Sequence, residues 1–125
     1  MILDTNAVSA WSDGEEELLD AMAGAGLVML PVIAIGEYRY GLKLSTQRTE
    51  REAWLRRVID TVHVLPVTRA TAGAYADIRS QLHRKGRSIP TNDAWIAALA
   101  LEHRLPVLSR DAHFDVVDGV ERVSW

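Results

Sequence analysis

Met1-Ile2-Leu3-Asp4-Thr5-Asn6 opens the chain, and this short apolar run ended by an acid decides the fold class. An apolar run without alternation is typical of a strand that is buried on both faces. Four further runs are bounded in the same way by turn-forming or charged residues. Together they predict five strands, at residues 1–3, 27–30, 62–65, 106–108 and 120–125.

The segments between these strands have apolar residues at helical spacing. They predict helices at about 13–23, 31–45, 48–60, 68–85 and 92–104, with Pro31 in a first turn and Thr91 and Asn92 as capping residues. Strand and helix therefore alternate. This order predicts an α/β fold in which helices cover both faces of a mainly parallel sheet, giving three α/β/α layers.

Length and composition restrict the class of protein further. A chain of 125 residues with 48% hydrophobic content fits one compact domain, so we expect residues 1–125 to form a single domain. No segment approaches the ~20 apolar residues of a membrane span, and the N-terminus lacks signal-peptide features, which predicts a cytoplasmic location. With no cysteine and four scattered histidines, we expect any metal to be bound mainly by oxygen.

The charges are distributed unevenly along the chain. Residues 1–38 contain seven acids and no Lys or Arg, whereas residues 39–110 contain thirteen of the fourteen basic residues. Solvated helix faces are one explanation of this pattern. The other is that the basic middle of the chain holds a phosphate backbone against acids contributed by the two ends.

Two acids follow predicted strands. Asp4 comes directly after the first strand, and Asp111 comes shortly after residues 106–108, in Leu108-Ser109-Arg110-Asp111. Ligands of open parallel sheets bind beyond the carboxyl ends of the strands, so this edge is a candidate site. Each acid alone could instead cap a helix or a turn.

Two more acids lie on predicted helices. Glu37 shares a helical stripe with Ile33, Tyr40 and Leu44, where a buried carboxylate needs a cation, hydrogen bonds or access to solvent. The alternative is a boundary Glu paired with a basic residue. Asp93 begins the most apolar helix of the chain, where a first-turn acid is also favoured by the helix dipole.

If these four acids meet, their charges must be balanced. Two carboxylates ~4 Å apart repel each other by about 4 kcal/mol at an effective dielectric near 20. Oxygen ligands without sulfur select hard cations such as Mg²⁺ or Mn²⁺, which keep several water molecules. Activation of such a water suits the hydrolysis of phosphodiester bonds.

Four segments carry a family resemblance that spans almost the whole chain. They resemble the PIN-domain ribonucleases, specifically the VapC-type toxins of prokaryotic toxin–antitoxin pairs. The resemblance implies an α/β/α sandwich with strand order 3-2-1-4-5 and Mg²⁺- or Mn²⁺-dependent endonucleolytic cleavage of RNA. The segments are Ile2-Leu-Asp-Thr-Asn-Ala-Val-Ser9, Ile35-Gly-Glu-Tyr-Arg-Tyr-Gly-Leu42, Thr91-Asn-Asp-Ala-Trp-Ile-Ala-Ala98 and Leu108-Ser-Arg-Asp-Ala-His-Phe114.

The resemblance also assigns roles by position. Asp4, Glu37 and Asp93 match the three most dependable catalytic and metal-binding acids of the family. Asp111 matches the more variable fourth acid, although the nearby Asp115 is an alternative. The polar positions that assist the site correspond to Thr5, Asn6 and Ser109.

Partners follow from the same resemblance, which implies an RNA substrate, a homodimer and a cognate antitoxin of the VapB kind. The most concentrated basic run contains Arg84, Lys85 and Arg87, just before the turn that leads to Asp93. We hypothesise that these side chains contact RNA phosphates. A solvated helix end is the alternative for them, since the helix dipole favours cations there.

Two rival functions are compatible with parts of the sequence. A phosphate-transfer or phosphatase-like α/β domain would also place an acid such as Asp4 after its first strand. However, Asn6 stands where the phosphatase pattern has a second Asp, and no Lys follows Lys85 as a response regulator requires. The second rival is a PIN-like module that binds RNA or protein without cutting.

Overall fold

Five short strands form one sheet in the computed structural model, which describes residues 1–125. The strands lie in the order β3-β2-β1-β4-β5, and every neighbouring pair is parallel. This confirms the order that the family resemblance implied and places β1 at the centre. The strands are β1 (Ile2–Leu3), β2 (Met29–Pro31), β3 (His63–Leu65), β4 (Val107–Leu108) and β5 (Arg122–Val123).

Six α-helices and one short 3₁₀ helix surround the sheet. No helix has both the length and the apolar character that a membrane crossing requires. The helices are α1 (Thr5–Asp13), α2 (Glu16–Ala23), α3 (Val32–Lys43), α4 (Arg48–Ile59), α5 (Arg69–Arg84) and α6 (Thr91–His103), and the 3₁₀ helix is Ala112–Val116.

Two separate apolar clusters show that the helices form two layers. Ile2 and Val107 pack into a cluster with residues of α5, α6 and the 3₁₀ helix. Their chain neighbours Leu3 and Leu108 pack into a second cluster with residues of α1 to α4. Because successive strand residues point to opposite faces, this division confirms the predicted three-layer sandwich.

The first helical region differs from the prediction of one helix at 13–23. Here α1 begins at Thr5, directly after Asp4, and ends at Asp13, before α2 begins at Glu16. Gly14 separates the two helices in a left-handed conformation (φ 73°), and its N–H lies against the carbonyl oxygens of Ala10 and Trp11. Glycine adopts this conformation without steric cost, so it ends α1.

Two predicted helix starts also differ. Pro31 is the last residue of β2 and immediately precedes α3, so it is not in the first turn. Thr91 and Asn92 are the first residues of α6, and the capping position belongs to Pro90, which makes no side-chain capping bond. Pro90 has an extended backbone (φ −53°, ψ 144°), so the helix can begin only at Thr91.

Candidate active site

Asp4 lies where the central strand β1 ends and α1 begins. Its side chain is only 4% exposed, yet three donors reach its carboxylate oxygens. Oδ1 accepts from the Thr5 backbone N–H (2.7 Å), and Oδ2 accepts from Asn6 Nδ2 (3.0 Å) and Ser109 Oγ (2.7 Å). These bonds hold the carboxylate rigidly at the carboxyl edge of the sheet.

Ser109 joins the ends of β1 and β4. It follows β4 directly and is fully buried. Besides donating to Asp4, its Oγ accepts from Asn6 Nδ2 (3.0 Å) and from the backbone N–H of Asp111 (2.9 Å). All three polar residues that were predicted to assist the site, Thr5, Asn6 and Ser109, therefore hydrogen-bond an acid of the predicted cluster or its backbone.

Asp93 and Asp111 meet at a histidine. Asp93 is in the first turn of α6 and is 9% exposed, because this helix is buried on nearly all sides. Asp111 precedes the 3₁₀ helix and caps it by accepting from the backbone N–H of His113 (3.0 Å). The His113 Nδ1 atom lies 2.8 Å from Asp93 Oδ2 and 2.9 Å from Asp111 Oδ1.

Glu37 reaches the site from α3. Thr5 Oγ1 donates to Glu37 Oε1 at 2.8 Å, which ties α3 to the start of α1. The predicted apolar stripe around Glu37 is largely solvent-facing, since Tyr40 and Leu44 are 70% and 78% exposed. α3 instead buries the faces that carry Ala34, Ile35, Tyr38 and Leu42, so Glu37 lies at the boundary of the core.

Open space adjoins Glu37 on two sides. One cleft, of about 630 Å³, is bordered by Thr5, Glu37, Tyr40 and Asn92 among others. A second cleft, of about 300 Å³, is bordered by Thr5, Glu37 and Arg51 among others. Glu37 and Thr5 are therefore reachable from solvent through both clefts.

Burial and mutual repulsion alter the acids' ionisation. The pKa of Asp4 is raised to about 6, mainly by burial and to a smaller extent by the charges of Asp93 and Glu37, while hydrogen bonds from Ser109 and Thr5 act in the opposite direction. The pKa of Asp93 is raised as well, mainly by burial, with contributions from the charges of Asp111 and Glu37. The four predicted acids therefore act on one another within one site.

Asp115, the alternative fourth acid, is engaged elsewhere. Its two carboxylate oxygens accept from Arg122 Nε (2.7 Å) and Nη2 (2.9 Å). The hydrogen bond from Arg122 lowers the pKa of Asp115. This geometry favours Asp111 over Asp115 as the fourth acid of the cluster.

The three predicted RNA-binding residues lie in different surroundings. Lys85 Nζ is bound to Asp118 Oδ1 (2.5 Å) and to the Val116 carbonyl (3.0 Å). Arg84 Nη1 donates to Ser80 Oγ within α5. Arg87 borders a small cavity of about 150 Å³ together with Arg79 and His83.

His113 is the site residue that sequence reasoning missed. The four histidines are scattered along the chain, so their spacing predicts no imidazole ligand. The available signal was its position two residues after Asp111, inside the same motif. The hydrogen bond to Asp93 raises the pKa of His113, whose Nδ1 lies between the carboxylates of Asp93 and Asp111.

The donor set fits a divalent cation. Ligand atoms of Asp93, Asp111 and His113 lie within 4.8 Å of one another, and the charge of Asp93 also acts on Asp4. Carboxylate oxygens are suited to Mg²⁺ and Mn²⁺, and a cation would relieve the repulsion that raises the pKa of Asp4 and Asp93. The fold and the site thus define an α/β protein with a cluster of acids, suited to a divalent cation, at the carboxyl edge of a parallel sheet.

Comparison with known proteins identifies the family to which this chain belongs. The PIN-domain family model matches residues 1–120. Ribonuclease VapC5 of Mycobacterium tuberculosis is 34% identical over 125 residues, which cover 98% of this chain and 90% of that protein. The chain therefore belongs to the PIN-domain family, which confirms the resemblance of its four motifs and removes the phosphate-transfer rival.

Solved structures agree with the assignment. VapBC-5 of M. tuberculosis, a member of the VapBC family of toxin–antitoxin systems, has a TM-score of 0.79 at 31% identity, covering 99% of this chain and 97% of that one. VapBC2 of Rickettsia felis, solved with a DNA fragment from its promoter, has a TM-score of 0.91. At 17% identity, with 99% and 97% coverage, it supports the fold alone.

Proposed function

We propose that this protein is a metal-dependent endoribonuclease that hydrolyses phosphodiester bonds in RNA and acts as the toxin of a toxin–antitoxin pair. The observation that carries the proposal is the set of mutually interacting carboxylates of Asp4, Glu37, Asp93 and Asp111 beside two open clefts. Relatives named as VapC ribonucleases support it. In this proposal residues 1–125 act as one nuclease domain.

The side chains of the site have different proposed roles, which follow from their burial and their hydrogen-bond partners. Asp4 and Asp93, with Asp111 beside them, would hold the Mg²⁺ or Mn²⁺ ion. When bound, this ion makes water more acidic and neutralises charge on the phosphate. Glu37 uses Oε1 to bind Thr5, which leaves Oε2 available to accept a hydrogen bond from water in the cleft. Ser109 and Asn6 keep the Asp4 carboxylate oriented.

A metal-dependence assay tests this function. The purified protein should cleave single-stranded RNA internally in Mg²⁺ or Mn²⁺, stop in EDTA, and recover when excess Mg²⁺ is added. The Asp115→Asn variant is a matched control and should keep its activity, because this acid is paired with Arg122. Undiminished cleavage in EDTA would contradict the proposed metal role, and RNA binding without any cleavage would favour a non-catalytic module.

The basic side chains before α6 are proposed to bind RNA phosphates. In an Asp93→Asn background, which leaves the RNA intact, Arg84→Gln or Arg87→Gln should each reduce the slope of log affinity against log salt by about 0.7. Lys85→Gln should change the slope less, because Lys85 is already bound to Asp118. Fluorescence anisotropy at several salt concentrations measures this, and an unchanged slope in all three variants would reject the contacts.

The proposed function includes protein partners. The similar VapBC-5 is a member of the VapBC family of toxin–antitoxin systems, so we propose a VapB-like antitoxin for this chain. The family resemblance also implies a homodimer of the toxin, which we include in the proposal. Light scattering should then give a mass about twice the 13.9 kDa of one chain. Adding the product of a small neighbouring reading frame should suppress RNA cleavage, whereas a monomer that no neighbouring product inhibits would contradict this proposal. The proposed site of action is the cytoplasm, which would contain both the RNA substrate and the antitoxin.

A further inference from the structure

One imidazole nitrogen faces two acids of the site. His113 Nδ1 lies 2.8 Å from Asp93 Oδ2 and 2.9 Å from Asp111 Oδ1. We propose that His113 is a direct nitrogen ligand of the divalent ion, together with Asp93 and Asp111. This inference rests on the proposed metal-dependent function and adds a ligand of a different chemical kind to its four acids.

The separations of these atoms fit a shared ion. Neighbouring ligand atoms of an octahedral ion with bonds of ~2.1 Å lie about 3 Å apart. The two measured separations from Nδ1 are close to that value, and the three ligating atoms all lie within 4.8 Å of one another. Small movements of the side chains would therefore suffice to bring all three atoms onto one ion.

The backbone presents His113 to the site in a defined way. Asp111 caps the 3₁₀ helix by accepting from the His113 backbone N–H, so both side chains belong to the same turn. The next residue, Phe114, is fully buried in the core beneath this turn. Nδ1 points at the carboxylates while the side chain keeps 46% of its surface exposed. As a ligand, the ring would coordinate through Nδ1 and carry its proton on Nε2.

An imidazole ligand changes which ion the site prefers. Both Mg²⁺ and Mn²⁺ are suited to carboxylate and water oxygen, but Mn²⁺ belongs to the transition-metal series whose members also bind at sites that contain nitrogen ligands. Four carboxylates alone would discriminate little between these two ions. We therefore expect this site to bind Mn²⁺ more tightly than Mg²⁺, with a preference that depends on His113.

A different role for His113 makes a different prediction. If its N–H only donates hydrogen bonds to Asp93 and Asp111, the residue positions two ligands and never contacts the ion. Substitution of His113 would then weaken the binding of Mn²⁺ and Mg²⁺ to a similar extent. No histidine nitrogen would be magnetically coupled to a bound Mn²⁺.

Pulsed electron paramagnetic resonance separates these cases without any activity measurement. We would bind Mn²⁺ to protein labelled with ¹⁵N-histidine and record the nitrogen coupling in wild type, His113→Gln and the control His63→Gln. His63 lies on the edge strand β3 and is exposed. Wild type and His63→Gln should show coupling to one histidine nitrogen, and His113→Gln should lose it.

Calorimetric titration with each ion gives the second readout. His113→Gln should reduce the Mn²⁺ over Mg²⁺ affinity ratio by about tenfold, while His63→Gln leaves it unchanged. Bound Mn²⁺ without nitrogen coupling in wild type, or coupling that persists in His113→Gln, would overturn the ligand role of His113 alone. A wild-type protein that binds neither ion would overturn the metal-dependent function as well.

Discussion

Replacing Asp93 by Asn is expected to slow RNA cleavage about a thousandfold while the protein stays folded. Changes to groups that merely support a metal ligand typically cost about 10 to 100-fold, so the loss of a ligand should cost more. A thousandfold loss corresponds to about 4 kcal/mol in the barrier. The substitution is nearly isosteric and removes a buried charge, so it should not unfold α6.

The assay compares initial rates of cleavage on one RNA fragment at saturating Mg²⁺ or Mn²⁺. Asp77→Asn provides a matched control, because Asp77 is an exposed acid on α5, outside the cluster. Thermal melting of each variant shows that lost activity is not lost folding. If Asp93→Asn cleaved as fast as wild type, the carboxylate cluster would not be the active site.

As the pH rises from below 4 to above 6, the free energy of unfolding of the metal-free protein is expected to fall by about 3 kcal/mol relative to that of the Asp4→Asn variant. Burial raises the pKa of Asp4 from its ordinary value of 3.8 to about 6 in the folded protein. Between these two values the folded state holds the proton more tightly than the unfolded state. Stability therefore decreases with rising pH, by about 1.4 kcal/mol for each pH unit that separates the two pKa values.

Urea unfolding in EDTA at pH values from 3.5 to 7.5 measures this difference. Asn at position 4 has only one accepting oxygen, so it cannot accept from Thr5 on one side and from Asn6 and Ser109 on the other as the carboxylate does, which adds an offset that does not depend on pH. We therefore compare the free energies of unfolding of wild type and Asp4→Asn at each pH. The informative result is how the difference between these two free energies changes with pH. A difference that stays constant across this range would show that Asp4 has an ordinary pKa.

Adding Mg²⁺ at pH 7.5 extends the same experiment. A cation that binds only the folded state stabilises it by mass action, about 2.7 kcal/mol at a concentration 100 times its dissociation constant. Wild type should recover the stability that the ionised Asp4 costs, whereas Asp4→Asn should gain much less. Equal gains in both proteins would place the cation away from Asp4.

Local sequence patterns were sufficient to predict the layers of the fold and the positions of most helices. They failed in two places, directly after Asp4 and on the helix that carries Glu37. Apolar runs predicted every strand to within a few residues, since burial on both faces leaves a continuous signal. The helix α1 was missed because Asp4-Thr5-Asn6 has the composition of a turn, although Asp4 in fact caps the helix. Likewise, Tyr40 fits a core stripe by its spacing alone but is exposed.

The sequence by itself determined the parallel α/β architecture and the acids that were candidates for the site, because strand burial, helical spacing and motif order are properties of neighbouring residues. Only the tertiary structure decided which side chains meet. It placed His113 against Asp93 and Asp111, paired Asp115 with Arg122, and tied Lys85 to Asp118. Two of these contacts, His113 with Asp93 and Lys85 with Asp118, join residues 20 and 33 positions apart in the chain, and all depend on side-chain directions that no local pattern encodes.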